Sequence, residues 1–222
     1  MRTIRALTIA AAVVVALPTI AAAQAGRGFQ DSWFWGVKAG GMTFADSGQN
    51  YKAAPMAGVD WLITRSNGGL YVSAGQAFLN ANTATLRDPT APTDSGPRNI
   101  KLHNLRRLDA ALMGFPGQHL RFHPYVGIGF TLSQVSEAEP EGPFGTEDQR
   151  TFANQVVQDD KVSISPMVMV GAQWRLNPFS VFVQGSAHPS SKGFLLYNNR
   201  PFSAALELGI RYNVGTSIDR TP

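Results

Sequence analysis

The residues best suited to nucleophilic chemistry are His188 and Ser190, in the segment His188-Pro189-Ser190-Ser191-Lys192. On an extended chain, residues two positions apart point to the same side, so an imidazole base could reach the serine hydroxyl. In that arrangement Ser190 would be the nucleophile and His188 the general base. The same residue types are also ordinary at the start of a polar loop, which is the alternative interpretation of this segment.

Metal and cofactor chemistry has less support in the sequence. Acidic residues gather between positions 137 and 160, but their spacing matches no EF-hand loop, and a calcium site would need several oxygens converging on one point. We expect a solvated, flexible loop there, because clusters of charge with Pro and Gly are usually flexible. The four histidines show no zinc-ligand spacing, and the chain has no cysteine. We therefore predict no metal, no cofactor and no thiolate chemistry.

The charge pattern excludes one class of partner. The formal net charge is +4, but the basic residues are scattered and form no stripe with interleaved aromatics. Nucleic-acid binding therefore has no support. Charged residues make up 15% of the chain, well below the roughly 25% of a soluble domain.

The first residues are typical of a secretory signal peptide. Arg2 and Arg5 precede an apolar stretch, Ala6–Leu17, and Ala21–Ala23 offers a cleavage site before Gln24. We expect residues 1–23 to be removed and residues 24–222 to form one domain, although a buried N-terminal helix is the alternative. No later stretch approaches the roughly 18 apolar residues of a membrane helix, so a membrane-inserted chain would have to use strands.

The elements that must position any site are β-strands. Residues 202–214 alternate between apolar and polar side chains, which predicts a strand with one apolar and one polar face, about long enough to cross a bilayer. Seven other segments resemble it. The eight predicted strands are Ser32–Phe44, Met56–Thr64, Leu70–Leu79, Leu102–Phe115, Phe122–Val135, Val162–Leu176, Phe179–His188 and Phe202–Val214.

The lengths of the connections favour an up-and-down barrel. Short turns join strands two and three, four and five, and six and seven. The other connections are longer: Ala45–Pro55, Asn80–Lys101, Ser136–Lys161 and Pro189–Pro201. Strict alternation of short turns and long loops is typical of an antiparallel transmembrane β-barrel with both termini on one side.

Three observations favour an apolar face that points outward to lipid. Charge is low, and the polar parity of several strands is built from small Gly, Ser and Thr residues that suit a narrow lumen. All the tryptophans share the apolar parity and lie near the short-turn end, with Tyr212 and Phe179, as in an interfacial aromatic belt. These tryptophans are Trp33, Trp35, Trp61 and Trp174.

Charged and polar residues fall on the opposite parity, which we expect to line the lumen. They could form a selectivity lining, but paired structural charges are the stronger interpretation, because eight strands leave little room for a channel. The predicted lumen residues are Lys38, Asp60, Arg107, Asp109, Gln173, Arg175, Gln184, Glu207 and Arg211.

The chain resembles small outer-membrane β-barrel domains. Residues 122–130, Phe-His-Pro-Tyr-Val-Gly-Ile-Gly-Phe, resemble the Pro-Tyr-Val-Gly-x-Gly strand of those domains, and Val170–Leu176 and Leu208–Tyr212 are similar to their later strands. The resemblance implies an eight-stranded, rarely catalytic barrel that is inserted by the barrel assembly machinery. Such chains often end on a terminal Phe, whereas this sequence continues through Gly215–Pro222, so recognition of the last strand would rest on Tyr212 or another internal signal.

The segment from His188 also resembles the His-x-Ser-Asn motif of lipid A deacylases, which are eight-stranded outer-membrane barrels with a Ser-His-acid arrangement. The resemblance implies Ser190 as nucleophile and His188 as base. The position of the Asn is occupied by Ser191, and no carboxylate follows at the spacing of that family. Both departures count against assigning this segment to a lipid A deacylase.

Together these patterns predict an integral outer-membrane β-barrel with no catalytic residues and a structural or surface-interaction role for its external loops. Its expected surroundings are outer-membrane lipid and lipopolysaccharide, with a possible extracellular ligand at the long loops. The alternatives are a lipid A deacylase-like enzyme using Ser190 and His188, and a soluble exported β-barrel that binds an apolar ligand.

Overall fold

The computed structural model describes residues 29–45, 50–86, 98–116, 121–142, 144–189 and 202–217, with the backbone alone at 80–86 and 98. Strands dominate these residues, as the alternation predicts. The elements are β1 Ser32–Ala45, β2 Tyr51–Arg65, β3 Gly68–Leu86, β4 Arg98–Gly114, β5 Phe122–Val135, β6 Ala138–Pro140, α1 Glu147–Asp159, β7 Val162–Leu176, β8 Phe179–Pro189 and β9 Phe202–Thr216.

Eight of these strands close into an antiparallel barrel. Each long strand pairs with the next along the chain, and β9 pairs with β1, so the wall has no free edge. The short strand β6 lies outside this circuit and pairs with the start of β4, where Lys101 faces Glu139. The predicted all-β, eight-stranded up-and-down barrel is therefore confirmed.

The two faces of the wall are sorted as the parity predicts. Large apolar side chains point outward and are exposed, among them Ile128 at 67% and Leu208 at 63%, whereas their strand neighbours are buried inside. Every outward-facing residue of β7, β8 and β9 is uncharged. An outward apolar surface of this extent suits lipid, and it contradicts the alternative of a soluble exported barrel.

The aromatic residues form the predicted rim at the short-turn end. Trp61 lies beside both Trp33 and Trp35, with ring centroids 5.3 and 5.7 Å apart respectively. Elsewhere on the same rim, Phe179 packs against Tyr212 at 5.3 Å. Aromatic rings in such a band are typical of the level of lipid headgroups.

Glycines give the largest inward side chains their space. A Cβ built at Gly209 would collide with the ring of Phe182, and one at Gly171 would meet the Tyr125 ring. At Gly36 an added Cβ would meet the Asp60 carboxylate. The small residues of the polar parity thus accommodate a tightly filled lumen, as the sequence predicts.

The strands at the long-loop end are longer than predicted. β2 begins at Tyr51 rather than Met56, and β3 and β4 remain paired as far as Leu86 and Arg98, within the segment predicted as the loop Asn80–Lys101. Backbone hydrogen bonds hold this extension, with register shifts after Phe78 and Asn82. Pairing of these two strand ends requires only backbone hydrogen bonds and no apolar side chains. The polar composition of the segment therefore gave no sign of the strands.

The acidic segment expected to be a flexible loop is also ordered in part. It contains β6 and α1, and Ala153 and Val157 of α1 are buried against the barrel. The helix begins after Thr146, whose hydroxyl accepts from Gln149 N at 3.3 Å, as an N-cap residue does. The expectation of a solvated loop was wrong for this part, because the apolar stripe of α1 packs on the mouth of the barrel.

Side chains fill the barrel interior in three layers. At the short-turn end, an aromatic-rich cluster surrounds Phe29, which stacks on His123 at 3.9 Å and meets Phe115 at 4.8 Å. At the long-loop end, apolar residues of β1 to β5 and β9 pack under α1. The charged side chains lie between these apolar layers. Among the described residues, no helix is long and apolar enough to cross a membrane.

Candidate functional site

The polar layer is centred on Arg211, which is fully buried. Its guanidinium donates to the Asp60 carboxylate through Nε at 3.1 Å and Nη2 at 3.0 Å, and through Nη1 to Gln173 Oε1 at 2.8 Å. The Phe182 ring lies 3.7 Å from the guanidinium carbon. The arginine is therefore held by a carboxylate, an amide and an aromatic face, which compensates the cost of its burial.

A second buried cation, Lys38, joins the other half of the layer. Its Nζ lies 2.8 Å from Glu207 Oε1 and 3.8 Å from Asp109 Oδ2. The same amine donates to the Tyr71 hydroxyl at 3.1 Å and to Ser73 Oγ at 3.0 Å. Arg107 Nη2 lies 3.1 Å from Asp109 Oδ2 as well, so two cations and two carboxylates compensate each other inside the lumen.

Gln184 connects the two halves. Its amide nitrogen donates to Glu207 Oε2 at 2.7 Å and to the Tyr71 hydroxyl at 2.9 Å. Its carbonyl oxygen accepts from the Tyr125 hydroxyl at 3.1 Å and from Arg211 Nη2 at 3.5 Å, which joins it to the Arg211 half of the layer. The tyrosines were not singled out from the sequence, although their inward parity on the strands carries the signal. The layer is one continuous network across the barrel.

The structure places the predicted lumen residues inside with one exception. Arg175 is only half-buried at the short-turn end, where its Nε donates to Asn177 Oδ1 at 2.6 Å. Its parity is inward, but β7 ends at Leu176, so the side chain lies beyond the filled part of the lumen. The eight confirmed residues are Lys38, Asp60, Arg107, Asp109, Gln173, Gln184, Glu207 and Arg211.

His188 lies inside the barrel and not on its surface. Its Nδ1 is 3.0 Å from Thr131 Oγ1 and its Nε2 is 3.1 Å from Ser186 Oγ. The Thr131 hydroxyl donates to Asp109 Oδ1 at 2.8 Å, so it accepts from His188, and the remaining imidazole nitrogen accepts from Ser186. His188 is thus hydrogen-bonded to the Ser186 hydroxyl and, through Thr131, linked to the Asp109 carboxylate. Ser190 lies outside the described residues.

Ser186, His188 and, through Thr131, Asp109 form a hydrogen-bonded series in the order nucleophile, base and acid, and the series is buried. Ser186 is 5% exposed and His188 is 2% exposed. The apolar layer under α1 lies on the long-loop side, so the described residues show no route for a substrate. The hydrogen bonds satisfy polar groups that would otherwise be buried without partners.

The two ends of the lumen are closed by different parts of the chain. At the short-turn end, Thr64 Oγ1 donates to the carbonyl of Phe29, which holds Phe29 in the aromatic-rich cluster. At the long-loop end, α1 lies over the mouth and turns Asn154 and Gln155 to solvent. The described residues include no group of three or more His, Cys, Asp or Glu side chains that could hold a metal ion.

A closed barrel with an apolar outside and a polar, filled inside defines a transmembrane β-barrel protein, because only closed ladders satisfy all backbone polar groups in lipid. Comparison with solved structures shows the same fold. Neisserial surface protein A is 12% identical over 81% of this chain and 96% of its own, with a TM-score of 0.52. The chain thus has the fold of the small eight-stranded outer-membrane barrels, as its motifs suggested.

Two further structures match with lower TM-scores. Ail, the attachment invasion locus protein of Yersinia pestis, solved in complex with the heparin analogue sucrose octasulfate, is 10% identical over 83% of this chain and 99% of its own, with a TM-score of 0.45. A major outer membrane protein from Thermus thermophilus is 11% identical over 82% and 98%, with a TM-score of 0.39. No protein-family model and no curated protein matches the sequence.

Proposed function

We propose that this chain is an integral outer-membrane protein with a sealed lumen, whose role is structural or interactive and is carried by the loops at the long-loop end. The observation that carries the proposal is the filled interior. Ion pairs and hydrogen bonds link its charged groups, and apolar layers cover them on both sides. An interior of this kind supports the wall, and its filling favours a lumen that neither conducts water nor admits a substrate.

The export route follows from the first residues. Residues 1–23 have the basic start, apolar stretch and small-residue cleavage site of a signal peptide, and they lie outside the described residues. We infer that the mature chain begins at Gln24 and reaches the barrel assembly machinery from the periplasm. N-terminal sequencing of the mature protein tests this inference, since any other first residue would contradict the boundary.

The long-loop end has the features of an interaction surface. Ala153 and Val157 bind α1 to the barrel, and the acidic first turn of the helix, Glu147 and Asp148, is turned to solvent. Packing against the barrel gives this surface a fixed shape, and fixed shape favours recognition because less conformational entropy is lost on binding. We infer that this surface, together with the outer leaflet and its lipopolysaccharide, is where partners meet the protein.

The test is cell fractionation combined with gel mobility. The full chain is expressed in a Gram-negative host, and outer membranes are separated from the periplasmic fraction. We expect the protein in the outer-membrane fraction, with a different gel mobility before and after boiling, as a folded barrel shows. Recovery as a soluble periplasmic monomer would refute the proposal.

The sealed lumen is tested separately by planar-bilayer recording of the purified protein. We expect no stepwise conductance above that of protein-free bilayers. Steps of constant size would show a continuous water path and would contradict the structural interpretation of the polar layer.

A further inference from the structure

A cavity of about 410 Å³ opens at the short-turn end, and its lining includes two cations. It is lined by Arg121, Arg175, Leu176 and Asn177. Arg175 N donates to the Arg121 carbonyl at 2.8 Å, so the two arginines are direct neighbours across the ends of β5 and β7. The cavity therefore brings together two guanidinium-bearing residues that are far apart in the sequence.

The cavity lies just beyond the aromatic rim. Arg121 precedes Phe122, and Arg175 follows Trp174, so each arginine is one residue closer to the short-turn end than its aromatic neighbour. Phe122 and Trp174 face each other across the strands, with ring centroids 5.9 Å apart, and both are exposed on the outward face. Aromatic rings of this kind mark the headgroup level of a bilayer, where lipid phosphates lie.

We propose that this cavity binds a phosphate group, supplied by the phosphodiester of a phospholipid headgroup or by free phosphate. The proposal rests on the membrane location proposed above. Guanidinium groups match phosphate oxygens with paired hydrogen bonds, and Arg is preferred over Lys where such planar recognition is needed. The Asn177 amide oxygen accepts from Arg175 Nε and holds that side chain at the cavity.

The apolar wall beside the cations favours a lipid. Leu176 is 58% exposed, and Trp174 is 52% exposed on the lipid-facing side of the same strand. A phospholipid bound through its phosphate would place the first carbons of its acyl chains against Leu176, the apolar residue of the cavity lining. Free phosphate would use the arginines alone, so the two sources differ in whether apolar contact strengthens binding.

The test uses the purified full-length protein in a zwitterionic detergent, with folding verified by its heat-modifiable mobility. Binding of dihexanoyl phosphatidylglycerol and of inorganic phosphate is measured by native mass spectrometry. The double variant Arg121→Gln/Arg175→Gln removes both cations, and Arg65→Gln removes an exposed arginine of the same end that does not line the cavity.

We expect phosphatidylglycerol binding to fall about thirtyfold in the double variant, because each arginine near an anionic group contributes about 1 kcal/mol and 1.4 kcal/mol is tenfold. Arg65→Gln should bind as wild type does. If the protein binds phosphatidylglycerol but not inorganic phosphate, the site is a lipid site. If inorganic phosphate competes equally with phosphatidylglycerol, the site takes the free ion.

The proposal is overturned when wild type binds neither ligand, or when the double variant binds as tightly as wild type. It is also overturned when Arg65→Gln loses as much affinity as the double variant. Because the assay uses folded protein in detergent, its outcome is independent of the cellular fractionation. A protein found in the outer membrane without this binding would contradict the phosphate site alone.

Discussion

Removing one partner of the Asp60–Arg211 pair should strongly destabilise the barrel. Asp60→Asn keeps the side-chain volume but replaces the carboxylate that accepts from Arg211 Nε and Nη2. The buried guanidinium would keep Gln173 as an acceptor but would lose its counter-charge. Leaving one buried charge without its partner costs about 3–5 kcal/mol, so we expect the free energy of unfolding to fall by that amount.

The matched control removes both charges. In Asp60→Leu/Arg211→Met the two positions carry apolar side chains, and such replacement of a whole buried pair is often neutral or stabilising. We expect the double variant to unfold at higher urea concentration than Asp60→Asn. The assay is urea unfolding in lipid vesicles, followed by the fraction with folded gel mobility. The reasoning would be refuted if Asp60→Asn were as stable as wild type, or if the double variant were less stable to urea than Asp60→Asn.

Three other predictions test the faces of the wall and the histidine motif. Leu208→Arg on the lipid side should cost about 2–4 kcal/mol of folding stability, and Val162→Arg at the long-loop end of β7 about 0–1 kcal/mol; equal urea midpoints for the two would contradict the assigned face. Gly209→Ala should lower the unfolding midpoint, because its Cβ meets the Phe182 ring; an unchanged midpoint would show a loosely packed lumen. Purified wild type and Ser190→Ala should release equal background amounts of acyl chains from lipid A by mass spectrometry, and release by wild type alone would place the chain among the deacylases.

Most of the wall could be predicted from the sequence because its signal is local. In β9, Glu207 and Arg211 face inward and Leu208 and Ile210 face outward, as the period-two pattern requires. The same pattern placed the tryptophans on the lipid side and Lys38 in the lumen. Each of these assignments depends only on neighbouring residues along one strand.

The partners within the lumen could not be predicted in this way. Asp60 and Arg211 are 151 residues apart, and they meet only because β1 pairs with both β2 and β9. Arg175 shows another limit of the alternation pattern. Its parity is inward, but β7 ends one residue later, so the side chain lies at the short-turn end and not inside the lumen. The pairing of charges depends on the register between strands and on the closure of the barrel, and the sequence of one strand determines neither.

The helix α1 was missed although its local signals are present. Thr146 and Gln149 form an N-terminal capping pattern, and apolar residues at 152, 153, 156 and 157 make one stripe. The high content of Asp and Glu in the segment suggested solvation and outweighed this pattern. Packing of the stripe on the barrel mouth decides the structure, and that surface exists only after the barrel has closed.

Accessibility of single cysteines in intact cells tests the central claim most directly, because the chain has no cysteine of its own. Gln155→Cys places a thiol on the exposed side of α1, and Asn67→Cys places one in the turn between β2 and β3. A membrane-impermeant maleimide should label Gln155→Cys in intact cells and Asn67→Cys only after the outer membrane is permeabilised. Equal labelling of both thiols in intact cells, or of neither until permeabilisation, would contradict a barrel that spans the outer membrane with its long loops outside.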